Sequence, residues 1–313
     1  IMEEGLIVAK GKHSAAVVEM RSGFDQGSRW GLRGNEDLGS GYSVGFILEQ
    51  GFSADTGAAG AADKAFNRET VIQVNGGFGR VSFGLTGTLG SGAQTHNILT
   101  GWAFSTGYLM SGWNSMSVKT VRVDNSIGYV SPSFSGFNLY ALYSNGVGGD
   151  EEKWSHNGHY YGLGLKYEAN NIKSSLILDA RDFKPEHHQR DLMVNYGLEV
   201  TTGNWTPMFG YQWYNKDGGL NTHMFGLSAK GNVLSGDLRI GVRYLFGKDR
   251  AAEANKENKV NLFNVGAAYI YPLSKRTALK GYVGYVHSGK KWSSEKDYLY
   301  NGYAAVVGIR TSF

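Results

Sequence analysis

Along residues 301–313 the side chains alternate in character. Tyr303, Ala305, Val307, Ile309, Thr311 and Phe313 fall on one face of an extended chain, and Ala304, Val306, Gly308, Arg310 and Ser312 on the other, because side chains in a strand repeat every second residue. One row suits hydrocarbon and the other suits water, the division a membrane-spanning β-strand requires. The same pattern recurs upstream. Leu238, Ile240, Val242, Tyr244 and Phe246 form an apolar row opposed by Arg239, Gly241 and Arg243. A lipid-facing arginine near the bilayer midplane costs about 2–4 kcal/mol, so the arginines are assigned to the inside. By this parity Trp30 and Leu32 face out with Arg29 and Arg33 inside; Tyr42, Val44, Phe46 and Leu48 face out with Glu49 inside; and Leu192, Val194, Tyr196, Leu198 and Val200 face out with Asn195 and Glu199 inside. The stretch 67–75 does not alternate cleanly, and Arg68 is assigned to the inner wall without that support.

The connections between these stretches are of two sorts. Tight turns are expected at 39–41, 76–79, 132–136, 170–171, 203–204, 234–236 and 274–276, and longer polar loops at 10–26, 53–65, 89–121, 147–157, 184–189, 217–220, 248–258 and 289–300. Short turns on one rim and long loops on the other are what periplasmic and external ends of an outer-membrane barrel show. The pattern predicts an all-β, transmembrane antiparallel β-barrel of about sixteen strands with both termini on the turn side. The whole chain, 1–313, is read as one such barrel, its first strand, 1–8, being short.

Composition narrows the classes. The chain has 46 glycines, 4 prolines, 19 tyrosines and no cysteine, which suits many strands and turns and removes disulfides and thiolate chemistry. Mean hydropathy is −0.31, and no apolar run approaches the roughly twenty residues a membrane helix needs. A formal charge of +4 is too small and dispersed to argue for nucleic acid. No leader pattern of basic, apolar and small residues opens the chain at Ile1, so the sequence is read as a mature or trimmed form of an exported protein.

The stretch Ser28-Arg29-Trp30-Gly31-Leu32-Arg33-Gly34-Asn35-Glu36-Asp37-Leu38-Gly39, continued by Phe46-Ile47-Leu48-Glu49-Gln50-Gly51-Phe52, resembles the second strand, first turn and next strand of general porins of the neisserial and β-proteobacterial type. Phe66-Asn67-Arg68 through Gly76-Gly77-Phe78-Gly79, Arg122-Val123-Asp124-Asn125-Ser126-Ile127, Leu273-Ser274-Lys275-Arg276-Thr277 and the final strand extend the match to the whole chain. The resemblance implies a sixteen-stranded, water-filled barrel, usually a homotrimer, whose third long loop folds inward and narrows the pore. That loop is 89–121. It departs from the family pattern, in which loop carboxylates face a basic wall: from Thr86 to Val121 the only formally charged residue is Lys119, and Trp102, Phe104, Tyr108, Leu109, Met110 and Trp113 make the loop apolar. Two readings stand, a greasy constriction for amphiphilic solutes and a loop that packs its aromatics on the wall. The second is favoured, since a buried aromatic contributes roughly 1.5–3 kcal/mol.

The pore-lining set expected from parity is Arg29, Arg33, Glu49, Arg68, Arg122, Asp124, Lys166, Arg239, Arg243 and Arg310, with Lys280 as a further basic residue and Asp179 and Glu199 as further acids. Rings of Arg and Lys favour anions; the inward carboxylates reduce that field, which leaves either a mild anion preference or a weakly selective pore. Tyr160, Tyr161, Trp205, Tyr269, Tyr271 and Tyr298 near strand ends read as interface girdles. His156, His159, His187 and His188 fall in expected external loops without a metal-ligand spacing, and no nucleophile, base and orienter can be assembled. Asp150, Glu151 and Glu152 are read as solvated loop charge, with a divalent cation or lipopolysaccharide contact as the alternative. The expectation is a passive diffusion channel for ions and small hydrophilic solutes across a Gram-negative outer membrane, without catalysis, metal or cofactor, in contact with outer-membrane lipids including lipopolysaccharide. The rivals are a channel selective for an organic anion and a loop-mediated adhesin or receptor.

Overall fold

In a computed structural model, which describes residues 1–91, 94–96, 98–113, 122–147, 157–183, 189–250, 258–289, 299 and 301–313, the alternating stretches become strands of one antiparallel sheet. The strands are β1 (Met2–Gly11), β2 (Ala16–Ser22), β3 (Arg29–Gly39), β4 (Tyr42–Gly51), β5 (Glu69–Gly76), β6 (Gly79–Gly87), β7 (Arg122–Val130), β8 (Phe137–Gly146) and β9 (His159–Ala169). They continue with β10 (Ile172–Phe183), β11 (Gln189–Val200), β12 (Trp205–Lys216), β13 (Leu220–Val233), β14 (Gly236–Asp249), β15 (Asn258–Pro272), β16 (Thr277–Ser288) and β17 (Gly302–Thr311). From β3 onward each strand pairs with the next. β1 pairs with β17 along its full length, from Met2 opposite Thr311 to Gly11 opposite Gly302. That seam, with the pairing of β1 to β2 on its other side, closes the cylinder, as extended chain in hydrocarbon requires.

The other edge of β1 is shared. Glu4 pairs with Ser22 of β2, but that register is not continued: Arg29 of β3 donates its N–H to the Ile1 carbonyl at 2.9 Å. β2 and β3 therefore occupy one stave, interrupted by 23–28, and the 17 strand segments build sixteen staves. This corrects the reading of 10–26 as a single long loop, because the polar side chains Glu19 and Arg21 masked a short strand. A second correction falls at 217–220, which is a tight hairpin turn between β12 and β13, not a long loop.

Face assignments follow the parity of the sequence. Val307 is 70% exposed and Val306 2%, Leu32 57%, Ile240 45% and Leu245 2%. The inner wall, however, is not uniformly wet. Inward Ile7 and Ala9 of β1, Met208, Met224, Leu245, Leu262, Tyr282, Val286 and Val306 form one buried apolar cluster with Trp102, Phe104, Tyr108, Met110 and Trp113 of the loop after β6. One half of the cylinder is thus a dry face under the loop, and the aqueous space lies against β3–β7.

Candidate functional site: the constriction

The loop leaves β6 through two short 3-10 turns, Leu89–Ser91 and Gln94–His96, and runs round the inner wall with a polar anchor on almost every strand it crosses. Leu89 N–H donates to Tyr160 Oη on β9 at 3.1 Å, Thr100 Oγ1 meets Ser175 Oγ on β10 at 2.8 Å, and Gly101 N–H donates to Glu199 on β11 at 3.1 Å. Ala103 N–H reaches Ser228 Oγ on β13 at 3.0 Å, and Ser111 Oγ lies 2.6 Å from Tyr282 Oη on β16. Close approach is possible because the wall beneath is glycine: a Cβ at Gly197 would lie 2.1 Å from the Thr100 carbonyl, and one at Gly226 would meet the rings of Trp102 and Trp113 at 2.8 and 2.9 Å.

The loop aromatics pack downward onto the wall. Trp102, Phe104, Tyr108 and Trp113 are 8%, 4%, 0% and 2% exposed; Tyr108 lies 5.0 Å from Tyr282 between ring centroids. Trp102 and Trp113 satisfy their indole N–H groups on the Ser111 carbonyl at 2.8 Å and Asn195 Oδ1 at 3.2 Å. Such packing offsets the ordering cost of an inward loop. From the opposite side the interruption 23–28 projects inward: Phe24 is 1% exposed and stands edge-on to Tyr108, its carbonyl accepts from Leu109 N–H at 2.9 Å, and Ser105 Oγ donates to the Asp25 carbonyl at 2.8 Å. The passage is narrowed by two elements docked on each other, of which the sequence pattern revealed only the loop.

Between them is a cavity of about 490 Å³. On its β3–β7 side Glu49 accepts from Arg68 Nε at 2.7 Å and lies 3.2 Å from Arg29 Nε, and Arg122 Nε donates to the Arg68 carbonyl at 2.7 Å. On the loop side stand Lys230 and Arg239; Arg239 holds Asp237 and the Ala103 carbonyl, the latter at 3.1 Å. Arg29, Glu49, Arg68, Arg122 and Arg239 are therefore brought together around one space, and Lys230, which parity also places inward beside Arg239, joins them.

The remaining sequence-assigned residues stand elsewhere. Arg243 faces inward but is 1% exposed. Its guanidinium donates to the carbonyls of Met110 at 2.7 Å, Trp113 at 3.2 Å and Gly112, and lies over the Trp102 ring at 5.6 Å. It is thus an anchor of the loop, shut off from the passage. Asp124 pairs with Lys64 of the loop after β4 at 2.5 Å. The left-handed Asn125 (φ 48°) and the register shift between Gly84 and Thr86 reverse the parity there, so Val123 is the buried inward residue. Lys166 bonds Glu168 at 2.9 Å near the short turn, Arg33 is exposed on β3 below the constriction, and Arg310 reaches Gln26 Oε1 at 3.4 Å. Lys280 is buried between Glu3 and Asp25.

Two aromatic-end assignments change. Tyr160 is no girdle residue: it is 0% exposed and donates to Asp179 inside the barrel. His159 is no loop residue but opens β9, stacked on Tyr143 with Nδ1 3.0 Å from its hydroxyl. Lys119, Asp150, Glu151, Glu152, His156, His187, His188, Lys290, Lys291 and Tyr298 lie outside the described residues. Among the described residues no three His, Cys, Asp or Glu side chains gather as metal ligands.

A cylinder with a wet, basic side and an inward loop is the architecture of a diffusion pore. Residues 5–291 match the family model described as Gram-negative porin, and the chain belongs to that family. It is 29% identical to an outer membrane porin protein of Bordetella pertussis, over 96% of this chain and 86% of the relative, and 28% identical to the major outer membrane protein P.IB of Neisseria meningitidis, over 95% and 86%. Its fold matches the anion-selective porin from Comamonas acidovorans with a TM-score of 0.78 at 22% identity, covering 100% of this chain and 97% of that one. The protein is a passive diffusion channel of the Gram-negative outer membrane; porins are channels and not enzymes.

Proposed function

We propose that the channel passes small hydrophilic solutes and ions with a mild preference for anions, set at the constriction between the loop and the 23–28 bulge. The observation that carries this reading is the charge balance of one cavity: Arg29, Arg68, Arg122, Lys230 and Arg239 line it against Asp25, Glu49 and Glu69. Of these acids Asp25 is engaged by Lys280 and Glu49 by Arg29 and Arg68. Unbalanced cations in a narrow passage with low-dielectric walls raise the local anion concentration. The matched Comamonas acidovorans porin, described as anion-selective, supports the same sign. Arg33, Lys166 and Arg310 act as weaker, outlying steps of that field.

The chain 1–313 is taken as one barrel unit that assembles as a homotrimer, embedded among outer-membrane lipids that include lipopolysaccharide. A salt gradient across a bilayer holding the purified channel tests the selectivity: the reversal potential takes the sign of permeant chloride, and a potential of zero or of the opposite sign overturns the reading.

A further inference from the structure

Lys230 and Arg239 stand directly opposite each other across β13 and β14, and both line the cavity of the constriction. Like charges so placed destabilise a sheet unless something of opposite sign lies between them. Arg239 is held on two sides: its Nε and Nη2 contact Asp237 at 2.9 and 2.8 Å, and its Nη1 donates to the Ala103 carbonyl of the loop at 3.1 Å. Lys230 is different. It is half-buried on the same rung and has no carboxylate or carbonyl partner among the described residues. The cations on the other side of the cavity are answered where they stand. Arg29 and Arg68 share Glu49 at 3.2 and 2.7 Å, and Arg122 donates to the Arg68 carbonyl at 2.7 Å within the field of buried Glu69.

We propose that the Lys230–Arg239 rung is an anion subsite that takes one oxyanion group of a passing solute, a carboxylate or a phosphate, with Lys230 as the specificity-determining residue. The subsite rests on the anion preference proposed above and narrows it from five cations around a cavity to one pair. A guanidinium fixed by Asp237 and the loop is a rigid donor, whereas an ammonium on a four-carbon stem can swing to meet its ligand. The two oxygens of a carboxylate or phosphate let each donor take its own charge-assisted bond. Chloride offers a single centre to both, so an oxyanion is retained longer on this rung. With Asp237 counted, the rung carries one net positive charge, and one oxyanion balances it. That is enough to bind and little enough to release, as conduction requires. The loop fixes the geometry: Ala103 is pinned to both strands beside the pair, its N–H on Ser228 Oγ at 3.0 Å and its carbonyl on Arg239.

Single-channel recording at constant chloride, with sodium acetate or sodium phosphate titrated in, tests the subsite. Only inserted, open channels are counted, so misfolded protein does not enter the measurement. In the wild type the chloride current should fall along a saturating curve. Block by acetate assigns the ligand as a carboxylate and block by phosphate as a phosphate, and either supports the subsite. Lys230→Gln should raise the half-blocking concentration at least tenfold and bring the anion-to-cation permeability ratio down, whereas Lys230→Arg keeps both near wild type. Asp237→Asn, which removes the counter-charge of the rung, should lower the half-blocking concentration. Lys166→Gln, whose ammonium pairs with Glu168 near the short turn, should leave it unchanged. An unchanged half-blocking concentration in Lys230→Gln overturns the subsite alone and leaves the anion preference standing. Absence of block by both oxyanions in an anion-preferring wild type does the same. A wild-type reversal potential without anion preference overturns the functional reading and the subsite with it.

Discussion

At the scale of single residues, parity places Arg239 and Arg243 on the same inward row two positions apart, yet their surroundings give them different work. Arg239 borders the aqueous cavity, while Arg243 spends its donors on three loop carbonyls in a dry contact. Hydrogen bonds from a charged group contribute about 1.5–3 kcal/mol each, and a carbonyl left bare in such a place carries its own penalty. Arg239→Gln should therefore lower the anion-to-cation permeability ratio, read from the reversal potential, with little change in thermal stability. Arg243→Met should cost on the order of 3 kcal/mol, seen as a lower melting temperature, with larger and noisier single-channel currents as the loop loses its hold. Identical effects of the two substitutions on selectivity would contradict this division. The inward direction of both arginines was legible in the sequence, because alternation dictates it; the difference between them was not, since it depends on a loop that meets the wall from far along the chain.

At the scale of elements, the strands were readable wherever one face is apolar throughout, and unreadable where an irregularity shifts the phase. The left-handed Asn125 moved Asp124 off the inner face, and 23–28 hid a constricting element inside what looked like a loop. A signal for the loop's seat was present: Gly197, Gly210, Gly226 and Gly241 all fall on inward positions of consecutive strands, and side chains there would collide with the loop. Gly226→Leu should push Trp102 and Trp113 off the wall, and limited proteolysis of the folded barrel should then cut the loop faster than in the wild type. The second short turn of the loop, Gln94–His96, carries a titratable group as well. His96 is buried, with Nε2 3.4 Å from Ser82 Oγ, and burial, aided by nearby Arg80, pushes its pKa down from 6.5 to about 4. The seated loop thus favours neutral imidazole. Its contribution is complete above about pH 6.5, weakens as the pH falls because the released state takes up the proton first, and is lost by about pH 4, a span worth roughly 3 kcal/mol. Protease sensitivity of the loop should rise across that interval in the wild type and stay flat in His96→Asn; equal profiles would remove His96 from the account.

At the scale of the whole molecule, the barrel is held shut by the β1–β17 seam, and beside that seam lies its most deeply buried charge cluster among the described residues. Lys280 of β16 contacts Glu3 of β1 at 2.5 Å and Asp25 of the bulge, and the three side chains are 1%, 0% and 2% exposed. Glu3 also accepts the backbone N–H groups of Asp25 and Gln26 at 2.6 and 2.9 Å. One ammonium thereby links the closing strand region, the first stave and the element that narrows the passage. A buried pair adds little over a well-packed apolar equivalent, but removing one partner leaves charge stranded at a cost of about 3–5 kcal/mol. Lys280→Met should strand two carboxylates, so that the folded barrel converts to the slow-migrating unfolded form on semi-native gels at a markedly lower temperature. Glu3→Gln and Asp25→Asn added to Lys280→Met should recover most of that loss, since the triple variant buries no charge, whereas either carboxamide alone recovers part. The bulge is positioned by the same cluster, so conductance should change in the single variant and move back toward wild type in the triple. Unaltered heat stability in Lys280→Met would mean that the seam's backbone ladder alone sets the closure, and that the ion cluster serves only to place the bulge.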